Sequence, residues 1–215
     1  MKLLLLDAAG MLVAVVLGLV VFFFGGENGQ AYLLLILAFL AASVIATKYG
    51  TGVKRKLALY EYNRGWENVV ANGIVPVFCV LAAYSLREPM LAVGAYVGSL
   101  AAVTADKFSS EIGVLGGAPR RLFDFKEAKR GESGAISLLG TLASFNGALV
   151  VGLASYFLFP ARYDAWGVLM ICSIGALGSF VDSIFGIFET RGIGNKMTTN
   201  IVCAVFGAIL GYFIL

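Results

Sequence analysis

The chain has 215 residues, 60% of them hydrophobic and only 13% charged, with a mean hydropathy of +0.89 and a formal net charge of +3. That is more apolar than a soluble domain can be, so the expected solvent is a bilayer. The chain contains no His, and Cys79, Cys172 and Cys203 each stand alone in apolar sequence, which excludes a Cys/His zinc site and a Ser-His-Asp triad. No Walker-type phosphate loop is present, and nothing points to a nucleic-acid partner.

Seven apolar stretches follow in chain order: Leu3 to Phe24, Ala31 to Thr47, Val69 to Leu86, Met90 to Ala105, Ala135 to Phe159, Trp166 to Phe188 and Thr198 to Leu215. A membrane-crossing helix needs about 20 mostly apolar residues. The runs are continuous rather than alternating, which excludes a barrel and predicts an all-α polytopic membrane protein of about seven transmembrane helices in a single domain, 1–215. The first stretch starts basic, like a signal peptide, but its apolar part is too long and no small-residue cleavage site follows, so it reads as a retained helix.

Basic residues divide unevenly between the loops. Fourteen fall at the N-terminus or in loops 48–68, 106–134 and 189–197, and two, Arg87 and Arg162, fall on the other side. The positive-inside rule then predicts a cytoplasmic N-terminus and an outside C-terminus. Outward loops are barely long enough to turn the chain, so any chemistry is expected at the cytoplasmic face.

Carboxylates are the remaining reactive groups. An ionisable side chain at the centre of a bilayer helix costs about 2.5 to 3.5 kcal/mol and usually marks a site. Asp106 and Glu111 bracket the cytoplasmic end of the fourth stretch, while Asp182 lies about 9 Å inside the end of the sixth at 1.5 Å per residue. Each follows a small-residue face, Gly94, Gly98, Ala101 and Ala105 in one and Gly175, Gly178, Ser179 and Gly186 in the other. If those faces meet, the carboxylates cluster and need a cation, and hard oxygen ligands beside phosphate suit Mg²⁺. The alternative is an interfacial pair of Asp106 with Lys107 or Lys48, and a lone interhelical hydrogen bond from Asp182.

The segment Lys126 to Ser144, "KEAKRGESGAISLLGTLAS", puts Lys126, Lys129 and Arg130 ahead of a Gly/Ser turn that opens the fifth stretch. Free amides and a positive dipole at such a start suit phosphate. Alternatively, Ser133 is only an N-cap and the bases only set topology. With Asn72, Asn195 and Asn200 also at cytoplasmic helix ends, a phosphate and metal site is the better joint explanation.

Five segments carry a resemblance: "NRGWENVVANGIVP" (Asn63 to Pro76), "ADKFSSEIG" (Ala105 to Gly113), "ESGAISLLGTLAS" (Glu132 to Ser144), "GSFVDSIFG" (Gly178 to Gly186) and "NKMTTN" (Asn195 to Asn200). In order and spacing they resemble the signatures of the integral membrane family that includes plant phytyl-phosphate kinase, over most of the chain after Ala41. The resemblance implies a polar cluster of Asn72, Asp106, Glu111, Ser137, Asp182, Asn195 and Asn200. It also implies transfer of a phosphoryl group from a nucleoside triphosphate, CTP or ATP, to a membrane-borne isoprenyl monophosphate of the phytyl or geranylgeranyl type. Two departures stand out: Lys107-Phe108 replaces a common Thr-Trp, and Ser133-Gly134-Ala135 replaces Asn-Gly-Gly.

In the resulting expectation Asp106, Glu111 and Asp182 hold Mg²⁺, Lys126, Lys129 and Arg130 neutralise phosphate charge, and Asn72, Ser133, Ser137, Asn195 and Asn200 bind substrate. Phosphoryl transfer needs mainly such positioning and electrostatic stabilisation. The competing classes are a CTP-dependent lipid nucleotidyltransferase and a membrane transporter of a small anion or lipid phosphate.

Overall fold

The computed structural model describes residues 5–61 and 63–215. In chain order come α1 (Ala8–Phe24), a 3-10 turn, α2 (Gly29–Lys48), the short α3 (Thr51–Lys56), α4 (Trp66–Leu86), α5 (Pro89–Gly113), β1 (Arg120–Arg121), β2 (Ala135–Ile136), α6 (Leu138–Leu158), α7 (Ala165–Thr190) and α8 (Lys196–Ile214). The architecture is all-helical apart from the two-residue strands, which pair antiparallel with Arg120 opposite Ile136.

Among the described residues, five helical segments are long and apolar enough to cross a membrane: Gly26–Lys48, α4, α6, α7 and α8. Helix α1 is a shorter apolar helix of 17 residues. Capping accounts for several boundaries. Asp7, Ser137, Asp164 and Asn195 each accept a first-turn backbone N–H with the side chain, at the starts of α1, α6, α7 and α8. The start of α6 is thus later than the sequence reading had it. Ser137 is the cap, Ala135 and Ile136 lie in β2, and Ser133 belongs to the preceding turn.

Helix α5 is the axle of the bundle and packs against α2, α4, α6, α7 and α8. Its residues from Val97 to Ala105 are buried without a break. The expected meeting of small-residue faces divides in two. Ala101 and Ala102 of α5 meet Gly175 and Gly178 of α7, whereas Gly94 and Gly98 face Gly211 and Gly207 of α8. A side chain at Gly98 would collide with the α8 backbone, so these glycines set the close approach of the two helices. Bulky aromatic side chains, among them Phe23, Phe78, Phe157 and Phe213, cover the outer surface, as expected of a bundle solvated by lipid.

Helix α5 also continues two turns beyond its expected end, to Gly113. Asp106 and Glu111 therefore stand on the helix, five residues apart, which rotates them about 140° from one another at 3.6 residues per turn. They address different neighbours.

Candidate functional site

Asp106 faces α7 and α8. Asp182, eight residues inside the end of α7, lies at the same level, and Lys196 at the start of α8 joins them. Lys196 Nζ donates to Asp182 Oδ2 at 2.8 Å and stands 3.7 Å from Asp106 Oδ2. Both carboxylates are buried, and one ammonium serves two negative charges. The Lys196 side chain keeps 48% of its surface exposed, against 8% for Asp182, so the lysine stem reaches the carboxylates from the solvent side. Asp182 Oδ1 is buried and has no hydrogen-bond partner among the described residues.

Glu111 points the other way, into a nest of cations. Its Oε2 is 2.8 Å from Lys54 Nζ, and its Oε1 is 2.7 Å from Arg64 Nη2 and 3.0 Å from Lys107 Nζ. Thr47 Oγ1 donates to the same oxygen at 2.8 Å, and Arg64 Nη2 in turn donates to Thr47 Oγ1. Lys54 is fully buried and also donates to the carbonyls of Ala46 and Thr47 at 2.8 and 3.0 Å, capping the C-terminal end of α2. Backbone bonds from Arg64 N to Leu5 O (2.8 Å) and from Asp7 N to Arg64 O (3.1 Å) anchor the segment before α1 to this nest. The sequence reading grouped Glu111 with Asp106 and Asp182 as a metal carboxylate. Among the described residues no three acidic, His or Cys side chains stand close enough to hold one ion.

A cavity of about 350 Å³ opens beside both clusters. Asp106, Asp182, Lys196 and Asn200 line it on one side, Lys107 and Glu111 on another, and Arg130, Ser133 and Ser137 close it from the loop between α5 and α6. Ser133 Oγ donates to Glu189 Oε2 at 2.8 Å, bringing this loop against the end of α7. Ser137 Oγ accepts from Gly140 N at 3.0 Å, so the cap of α6 borders the cavity. Gly186 lies against the backbone of Gly134, which itself has φ +77°; a side chain at either position would push the loop away.

The loop is held by its own ion pair. Arg121 Nε is 2.6 Å from Glu132 Oε1, and this hydrogen bond keeps the Glu132 carboxyl below the usual carboxylate range. The structure does not bring every predicted base to the site. Arg130 lines the cavity, whereas the Lys126 ammonium stands 3.9 Å from Asp124 and Lys129 meets Glu132 through its backbone, its N–H donating to Oε2 at 3.0 Å and its carbonyl accepting from Glu132 N at 3.1 Å. Asn195 is likewise the cap of α8, accepting from Thr198 N at 3.1 Å.

Asn72 and Asn200 meet across α4 and α8, with Asn200 Nδ2 donating to Asn72 Oδ1 at 3.3 Å. Asn72 Nδ2 donates to Asn68 O at 2.7 Å, and Asn200 Oδ1 is buried without a partner among the described residues. Pro76, four residues after Asn72, has no N–H to give the Asn72 carbonyl, which loosens α4 at this level.

Sequence reasoning missed Lys196, Lys54, Arg64 and Asn68 as site residues. All were counted as topology signals or loop polarity. Only for Lys196 was there a usable signal, a base at the start of a helix within the same "NKMTTN" segment.

Comparison with known proteins gives a family. Residues 1–207 match the family described as integral membrane protein DUF92. An uncharacterised membrane protein of Methanocaldococcus jannaschii is 34% identical over 212 residues, covering 97% of this chain and 85% of its own length. Protein PGR of Arabidopsis thaliana is 31% identical over 185 residues, 74% of this chain and 64% of the plant protein. An uncharacterised membrane protein of a Synechocystis strain is 32% identical over 148 residues, 66% of this chain and 56% of its own length. No solved structure matches. With nearly its whole length matched, this chain belongs to the DUF92 family of integral membrane proteins.

Proposed function

We propose that this protein is a membrane phosphotransferase that phosphorylates an isoprenyl monophosphate from a nucleoside triphosphate, with α1 and α5 completing seven spans and the cavity facing the cytoplasm. The observation that carries the reading is the pair Asp106 and Asp182, two buried carboxylates bridged by a half-exposed lysine at the edge of a polar cavity.

The donor set fits Mg²⁺. The ion usually takes one or two protein carboxylates and completes its shell with water and substrate phosphate, and the unpartnered Asp182 Oδ1 and Asn200 Oδ1 supply hard oxygens at this place. Asp106 and Asp182 would hold it, with Asn200 beside them, and when bound it neutralises phosphate charge. Glu111 serves instead as the counterion of Lys54, Arg64 and Lys107.

The chain's own groups then have separate tasks. Lys196, which also lines the cavity, turns its ammonium from the carboxylates to the transferring phosphoryl group. Arg130 and the Ser137 end of α6, which both line the cavity, receive the remaining phosphates at the positive end of the helix dipole. An isoprenyl monophosphate oxygen, ionised at neutral pH, forms the new P–O bond while the bond to the nucleoside diphosphate breaks, giving isoprenyl diphosphate. No protein base is needed, in keeping with a chain without His.

The test is to reconstitute the purified protein with geranylgeranyl monophosphate, Mg²⁺ and CTP or ATP labelled at either the terminal or the innermost phosphate. Terminal label in the lipid product is expected. Innermost label in the lipid would establish a nucleotidyltransferase, and label in neither would remove the enzyme reading.

A further inference from the structure

A second cavity, of about 360 Å³, lies between α1, α2 and α4. Its body is apolar, walled by Met11, Val15 and Leu17 of α1 and Leu33, Ile36 and Leu37 of α2. Its floor is Gly73 of α4, where a Cβ would come within 2.7 Å of Leu17, so glycine there lets the helices pack under the groove without filling it. Met11, Val15 and Leu37 are substantially exposed, so the groove is open along its length to the lipid side.

One end of the groove is polar. Ser43, Arg64, Asn68, Asn72 and Lys107 gather there, where α1 and α4 begin and α2 ends. Asn68 and Lys107 also line the polar cavity, so the two spaces share a wall. The charge at this wall is unbalanced: three cations, Lys54, Arg64 and Lys107, surround the single buried carboxylate of Glu111. A further carboxylate, on exposed Glu61, stands 3.9 Å from Arg64 Nε, and that buried Nε has no hydrogen-bond partner among the described residues.

The geometry points to this groove as the binding site of the isoprenyl chain of a single-chain phosphate, with Arg64, Lys107 and Asn68 holding the headgroup at the shared wall and the tail running between α1 and α2 toward Leu19 and Leu33. The assignment deepens the phosphotransferase reading and rests on it for the identity of the headgroup. Three features select this occupant. The surplus positive charge asks for an anion, and the walls ask for a hydrocarbon. The volume stands near the lower end of ligand pockets, roughly 300 to 1,000 Å³, which suits one chain better than two. From Met11 to Leu19 the α1 wall extends about 12 Å at 1.5 Å per residue, so the site lies along much of a long chain and leaves a five-carbon chain largely ungripped.

The experiment measures equilibrium binding, without nucleotide, to the full chain in nanodiscs, and so reports on the groove whether or not phosphoryl transfer occurs. The probes are geranylgeranyl monophosphate and dimethylallyl monophosphate, with phosphatidic acid as competitor. Leu37→Trp fills the groove from an exposed position that perturbs the core little, and Phe157→Trp on the outer face of α6 is the control. Filling the groove should weaken geranylgeranyl monophosphate binding several-fold in Leu37→Trp, because the displaced tail stays solvated by lipid and loses only its packing contacts with the groove. Dimethylallyl monophosphate binding should be unchanged in Leu37→Trp, and Phe157→Trp should behave as the parent. A photoreactive group at the tail end should crosslink to α1 or α2 near Leu17 to Leu19 or Leu33 to Leu37. Equal long-chain affinity in the parent and Leu37→Trp, or crosslinks confined to other helices, would overturn the assignment. Phosphatidic acid displacing the isoprenyl probe at equal concentration would overturn the single-chain occupant in favour of a membrane phospholipid.

Discussion

The Nζ of Lys196, at the first position of α8, lies 2.8 Å from Oδ2 of Asp182 in the body of α7. The same ammonium reaches Asp106 of α5 at 3.7 Å, so three helices are tied at one point by a lysine whose side chain is half exposed. A buried pair of carboxylates without such a cation would repel, and a pair permanently locked to a buried lysine would be unavailable to a ligand. The partial exposure of Lys196 avoids both outcomes.

Asp106→Asn and Asp182→Asn are expected to lower phosphoryl transfer by at least two orders of magnitude while the protein still inserts and purifies, because the amide keeps the shape of the carboxylate but loses the charge that the proposed Mg²⁺ site requires. Initial rates in proteoliposomes, alongside a thermal-shift profile, measure this. A rate within a few-fold of the parent in either variant would remove that residue from the site.

Glu111→Gln should behave differently. It leaves Lys54, Arg64 and Lys107 without their carboxylate, and breaking a buried pair by deleting one partner costs about 3 to 5 kcal/mol. The expected signature is a large fall in unfolding temperature, with Mg²⁺ affinity retained in the fraction that folds. A stable Glu111→Gln protein that has lost metal dependence would restore Glu111 to the metal set.

The convergence of Asp106 and Asp182 could be read from sequence because each follows small residues in an apolar helix, and Ala101 and Ala102 do meet Gly175 and Gly178. The partner of Gly94 and Gly98 was misread, since small residues state that a helix approaches and not which one. That Glu111 faces a nest of cations rather than the two aspartates escaped the sequence for a related reason. Its cations Lys54 and Arg64 come from 57 and 47 residues earlier in the chain, and nothing local announces a pairing over that distance. The helical continuation from Asp106 to Gly113 was hidden because its polar residues resemble a loop, and tertiary partners overrode that appearance. Ser137 rather than Ser133 caps α6 because the intervening Ala135 and Ile136 pair with Arg121 and Arg120, a contact between residues about 15 apart that helix-start patterns do not encode.

The loop bases separate cleanly. Arg130→Gln should raise the nucleotide concentration for half-maximal rate several-fold, because Arg130 lines the cavity, whereas Lys126→Gln and Lys129→Gln should stay within about twofold of the parent, as exposed charges in water are screened. Steady-state kinetics across the nucleotide range decide this; identical curves for all three variants would take the loop out of phosphate recognition.

Topology is open to direct labelling. A single cysteine at Asn28 in a background without native cysteines should react with an impermeant maleimide from outside intact cells, and one at Lys126 only after the membrane is opened. Labelling of both positions from the same side would defeat the seven-span arrangement.

Mn²⁺ binding followed by electron paramagnetic resonance, in the presence of nucleotide, tests most directly the claim that Asp106 and Asp182 form one metal-dependent site. The account predicts saturable binding to the parent and to folded Glu111→Gln, and loss of that binding in both Asp106→Asn and Asp182→Asn. Equal Mn²⁺ binding by the parent and the two aspartate variants would contradict it.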